Sequence, residues 1–109
     1  MTSLSLDEDA MNPHILAKVF FLRTEDGGRS GPTPADKFLC ILGFDEEHLS
    51  CCLLLDETGP LYPGQSATVP IQFIYTEIAT KYLMPGKIFF LFDGSHKIAK
   101  GEITEILNP

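Results

Sequence analysis

The chain has 109 residues, 44% of them apolar, with 15 acidic and 8 basic side chains for a formal charge of -7. That length and apolar content suit one domain with a core of its own and argue against disorder. The average field repels polyphosphates and anionic membranes, which disfavours nucleic acid as a partner, and no run approaches the roughly 20 apolar residues that cross a bilayer.

The first residues, MTSLSLDEDAMNP, have no basic start and no apolar core of signal-peptide length. They read as a mobile acidic arm, 1–13, on a cytoplasmic protein whose single domain spans 14–109. From His14 onward, turn residues recur at strand-and-loop intervals and a sustained helical repeat is rare. Strands are expected at Leu16 to Thr24, Lys37 to Phe44, His48 to Asp56, Gln65 to Tyr75, Lys87 to Phe92 and His96 to Ile106. About six strands leave no room for crossover helices, so the class is all-β and antiparallel.

The first strand runs into Glu25-Asp26-Gly27-Gly28, residues that tolerate a tight turn. The third sets Leu49, Cys51, Leu53 and Leu55 on one face; the fourth does the same with Ala67, Val69, Ile71, Phe73 and Tyr75. Val19, Phe21, Val69, Ile71 and Phe73 are expected in the core. Pro70 lacks the N–H of a ladder bond, so its strand is expected at an edge or bulged. Tyr62-Pro63-Gly64 fits a type II turn, and Ile78 to Met84 is a longer connection with room for a helical turn. Glu102 to Leu107 also satisfies a short amphipathic helix, but is read as strand, with Gly101 marking a bulge or a close backbone approach.

Three cysteines (Cys40, Cys51, Cys52) and three histidines (His14, His48, His96) show no metal-ligand spacing, and neighbouring Cys51 and Cys52 point to opposite faces of a strand. Reduced, half-buried thiols are expected. Asp93-Gly94-Ser95-His96 holds the residue types of a nucleophilic relay, but neighbours on a tight turn point apart. No catalytic, cofactor or metal residue is expected.

Strands one, two and five are apolar on both parities, whereas a closed barrel buries only the inner one. The outward set, Phe20, Leu22, Leu39 and Phe90, therefore needs cover from another element of the chain, a second copy or a protein partner, and the last two are the reading favoured.

Three stretches, AKVFFLRTEDGGRSGPTP, LYPGQSATVPIQFIY and MPGKIFFLFDGSHKIAKGEITEIL, together resemble the third domain of elongation factor Tu in order and spacing from about residue 16 to 107. The family's acidic Gly-Gly-Arg turn and following Thr-Pro are matched by Asp26-Gly27-Gly28-Arg29 and, after two inserted residues, Thr33-Pro34. Its Met-Pro-Gly is matched by Tyr62-Pro63-Gly64, and its closing hairpin by Gly86-Lys87-Ile88-Phe89 and Gly94 to Gly101. The resemblance implies a six-stranded antiparallel closed barrel with no hydrolytic activity of its own. In the family this domain packs on its sister domains and helps to hold aminoacyl-tRNA. This chain has no G-x-x-x-x-G-K-[ST] loop, hence no expected nucleotide binding. Any tRNA contact would use Lys97 and Lys100, with Arg29, Lys87 and His96; Ala99 and Lys100 stand where the family brings glycines close to RNA. The expected function is that of a non-catalytic binding module, with accessory tRNA binding as the alternative.

Overall fold

The computed structural model describes residues 13–44, 47–74 and 83–107. They form β1 (Ile15–Phe21), β2 (Lys37–Phe44), β3 (Glu47–Leu54), β4 (Ser66–Phe73), β5 (Ile88–Asp93) and β6 (His96–Ile106). All pairings are antiparallel, and the strands close into a barrel in the order β1-β4-β3-β2-β5-β6, with β6 pairing back to β1. The expected fold class is the observed one. The expected arm up to Asn12, the expected strand residue Tyr75 and most of the connection at 78–84 lie outside the described residues.

The bounds of β2 and β6 are those expected, but β1 ends at Phe21, earlier than Thr24. The cause is local. Thr24–Asp26 form a 3-10 turn closed by Gly27 at φ 95, and the Arg23 carbonyl accepts from the N–H groups of Asp26 and Gly28, each at 2.9 Å. A strand cannot continue through a carbonyl turned into such a knot. The turn at 62–65 has the expected form, with Gly64 at φ 88 and Gln65 N–H donating to Tyr62 O at 3.0 Å.

Alternation fills the interior: Val19, Phe21, Val69, Ile71 and Phe73 are all buried, alongside Leu42, Leu53, Phe89 and Leu91. On β3 the outer-parity residues Cys52 and Leu54 are buried as well, so this strand is covered on both faces at its end.

Two bulges lie on β6, and neither is at Gly101. Leu91 pairs with Ala99 but Phe92 with Lys97, which leaves Ile98 extra; Leu16 pairs with Glu105 but Ala17 with Ile103, which leaves Thr104 extra. Gly101 instead marks the close approach. A Cβ there would sit 2.2 Å from Cζ of Phe89, whose ring is fully buried.

Pro70 corrects an expectation, because β4 is neither an edge nor bulged at that residue. Phe21 N–H donates to Gln65 O and Ile74 N–H to Ser50 O, so even-numbered β4 residues turn their N–H groups toward β3. Pairing with β3 stops at Leu53 and Ile71, the step before a Pro70 N–H would be needed. The proline ends a ladder.

The three cysteines are free and buried, as expected of reduced thiols. Cys40 and Cys51 face each other across β2 and β3 with Sγ atoms 3.7 Å apart, in contact and unbonded. The Cys40 contact and burial push the Cys51 thiol well up, which keeps it protonated and a poor nucleophile.

Next to Cys51, whose register partner on β4 is Phe73, His14 ties the start of β1 to β4: its Nδ1 accepts from Phe73 N–H at 3.0 Å and its ring tilts against that of Phe73. Burial lowers its pKa, and protonating Nδ1 would break the bond.

Two outcomes follow from this packing. Phe73→Ala should destabilise the domain by about 3–5 kcal/mol through an emptied core site, and Gly101→Ala by about 1–3 kcal/mol through overpacking, both read in denaturant midpoints. For His14 the folded pKa lies below the unfolded value of about 6.5, so its contribution is present above that pH and fades as pH falls through it. The midpoint of the natural chain should drop across that window, and His14→Asn, which keeps an acceptor but does not titrate, should flatten the drop; equal slopes would remove His14 from the account.

Candidate docking face

The turns at 26–34 and 62–64 and the hairpin between β5 and β6 meet at one end of the barrel. Thr33, a buried polar residue, donates its N–H to Leu61 O at 2.9 Å, and its hydroxyl accepts from Leu61 N–H at 3.0 Å. Gly64 N–H donates to Phe21 O at 3.0 Å. Arg29 completes the closure: its guanidinium lies 4.9 Å over the Phe38 ring, pairs with Asp93 at 3.1 Å and donates to the carbonyls of Pro32 and Gly31. His96 Nε2 donates to the Gly27 carbonyl. Arg29 and His96, both candidate contact residues, are thus engaged within the chain. Asp93 and His96, register partners on this hairpin, are held by Arg29 and by the Gly27 carbonyl respectively.

The outer face of β1, β6 and β5 brings other candidates together. Phe20 pairs with Lys100 and Lys100 with Phe90, so the three side chains form one row across three strands, continued on β2 by Gly43. Lys97 joins them because of the bulge. Strict alternation would send residues 97 and 100 to opposite faces, but the extra residue Ile98 turns both outward. Lys97 Nζ lies 4.0 Å from the Phe90 ring centroid and Lys18 Nζ 5.2 Å from that of Phe20. Phe20 remains 46% exposed.

The remaining candidates are spread out. Leu39, 70% exposed, stands on β2 over a groove of about 420 Å³ that also takes in Ile41, Ser50 and Ile74. Leu22 is half-buried just past β1, where its N–H bonds Ile98 O at 2.9 Å. Lys87 lies beside β5 with Nζ 4.9 Å over the Phe44 ring.

Sequence reasoning missed a second groove, of about 300 Å³, lined by Gly43, Phe44, His48, Ile88, Phe90 and Phe92. Its floor is Gly43, where a Cβ would sit 3.0 Å from Phe92 Cε1 and 3.2 Å from His48 Cδ2. An isolated glycine inside an apolar strand was the available signal. Among the described residues, no group of three or more His, Cys, Asp or Glu is placed to hold a metal ion, and no helix is long and apolar enough to cross a membrane.

The sequence matches no protein-family model, and no curated protein matches it significantly.

Thr33→Val tests the division between scaffold and face. It should cost about 1–3 kcal/mol, because the Leu61 N–H loses its buried acceptor. A midpoint unchanged by the substitution would show that the end of the barrel does not depend on this clasp.

Proposed function

We propose that the chain is a non-catalytic binding module, a barrel of the elongation-factor-Tu third-domain kind. In this reading it works in the cytoplasm, in a translation-related setting, and docks a protein partner through the outer face of β1, β6 and β5. The observation that carries it is the row Phe20, Lys100, Phe90 with Lys97 above it: aromatic surface and ammonium groups gathered on one side of an acidic chain. Exposed aromatics flanked by charge suit a protein interface better than solvent. A second copy docking by the same face would set Lys18, Lys97 and Lys100 near their own counterparts, which favours a foreign partner.

The likeness to the family is supported by the six-stranded closed barrel and by the meeting of its motif-like stretches at Thr33 and Leu61. The second reading, tRNA binding, draws on the same two lysines, Lys97 and Lys100.

Affinity capture from native extract, compared with Phe20→Ser and Phe90→Ser variants of unchanged fold, tests the proposal. Each substitution should weaken the captured partner's affinity by about 2 kcal/mol, the effect of a hot-spot side chain. Gel shifts with tRNA and calorimetry with GTP and magnesium should show no binding. A captured set indifferent to both substitutions, or a salt-sensitive tRNA shift lost in Lys97→Glu, would overturn it.

A further inference from the structure

The Gly43 groove lies directly beside the row of aromatics and lysines, and Phe90 belongs to both. We propose that the partner of this face is an acidic extended segment that lowers one apolar side chain into the groove over Gly43 and lays its carboxylates on Lys97 and Lys100. The inference rests on the docking reading above and adds to it the chemistry of the partner.

The groove is the right kind of hole for an apolar anchor. Its floor is backbone, and its walls are the rings of Phe90, Phe92 and His48, the last two packed edge to face at 5.8 Å, together with Ile88, which is 43% exposed. A side chain in place of Gly43 would press on Phe92 and His48, which pack against its bare backbone and shape the groove beside it. Burial of one apolar side chain there supplies affinity, but it selects only for size.

Charge supplies the rest of the selection and sets the direction of the segment. Lys97 hangs over Phe90 at the groove wall, and Lys100 stands next to Phe90 on β6. Of the acidic groups on that side, Asp93 is held by Arg29, and Glu102 stands in the next row between Lys18 on β1 and Ile88 on β5. An acidic segment therefore runs from the groove toward β6 and β1, over Lys97, Lys100 and Phe20.

The probe is a fluorescein-labelled peptide of Asp and Glu with one central Leu, read by anisotropy against the full chain at low and high salt. It should bind, weaken with salt, and lose about tenfold or more when its Leu becomes Ala or its acids become Lys. Ile88→Asp and the pair Lys97→Glu with Lys100→Glu should each weaken it by a similar factor, all on an exposed surface where folding is retained. Tyr62→Ser, exposed at the Thr33 end, should leave it unchanged. Equal binding of the Ala peptide, indifference to the lysine pair, or tRNA displacing the peptide as the tighter ligand would overturn the proposal. If capture from extract depends on Phe20 and Phe90 while the acidic peptide does not bind, the docking reading stands and this inference falls. If capture is indifferent to both aromatics, the docking reading itself has failed.

Discussion

The contact between the Phe89 ring and the bare backbone of Gly101 is the constraint on which the closure of this barrel depends. Gly101 pairs with Phe89 on one side and with Val19 on the other, so this single row carries β5, β6 and β1 around the wall. An aromatic ring in the row needs more room than an alternating set of side chains would leave, and the missing Cβ provides it. With the ring seated there, β6 still has to follow the curve of its neighbours. It does so with a bulge on either side of Gly101, one at Ile98 and one at Thr104, and Thr104 turns its hydroxyl back to Leu16 O at 3.1 Å. Bulges bend a strand and raise its twist, which an eleven-residue strand in a small barrel requires.

The same bulges mark where reading the sequence stops. Alternation on β3 and β4 was legible because each residue's face follows from its own neighbours, and among the described residues the inward set is the one the pattern names. Register is different, because it depends on what stands on the strand alongside. Nothing in Ser95 to Lys100 says that Ile98 is extra, so the meeting of Lys97 and Lys100 on one face with Phe90 follows from the pairing with Leu91 and Phe92. Pro70 makes the same point: its missing N–H was legible, but whether that ends a sheet or only a ladder depends on β3. Of the candidate contact residues, the apolar Phe20 and Leu39 followed from parity alone. Arg29 and His96 could not be sorted from Lys97 and Lys100, since their partners Asp93, Phe38 and Gly27 come from elsewhere in the chain.

The turn residues singled out in the sequence at 26–34 and 62–64 are scaffold. Thr33, Gly64, Gly28 and Arg29 spend their polar groups or their lack of a side chain on closing one end of the barrel; a Cβ on Gly28 would lie 2.2 Å from Leu22 O. Residues with such duties serve the shape of the domain. The proposed contact residues Phe20, Leu39, Phe90, Lys97 and Lys100 lie elsewhere, on the outer parity of β1, β2, β5 and β6.

Lysines over exposed rings have consequences for which partners that outer parity tolerates. In the free protein Lys18 and Lys97 shade Phe20 and Phe90, an arrangement worth about 0.5–1 kcal/mol at exposed sites, and they set charge beside surface that would otherwise attract other apolar surfaces. A partner must displace the ammonium groups to reach the rings. A neutral apolar surface would then leave each lysine short of a partner within the interface, and a basic one would add repulsion. Carboxylates accept the displaced ammonium groups as charge-assisted bonds, so the step that uncovers the rings is offset only for an acidic partner. In the proposed docking, the lysines that shade these rings are therefore also what makes the face selective.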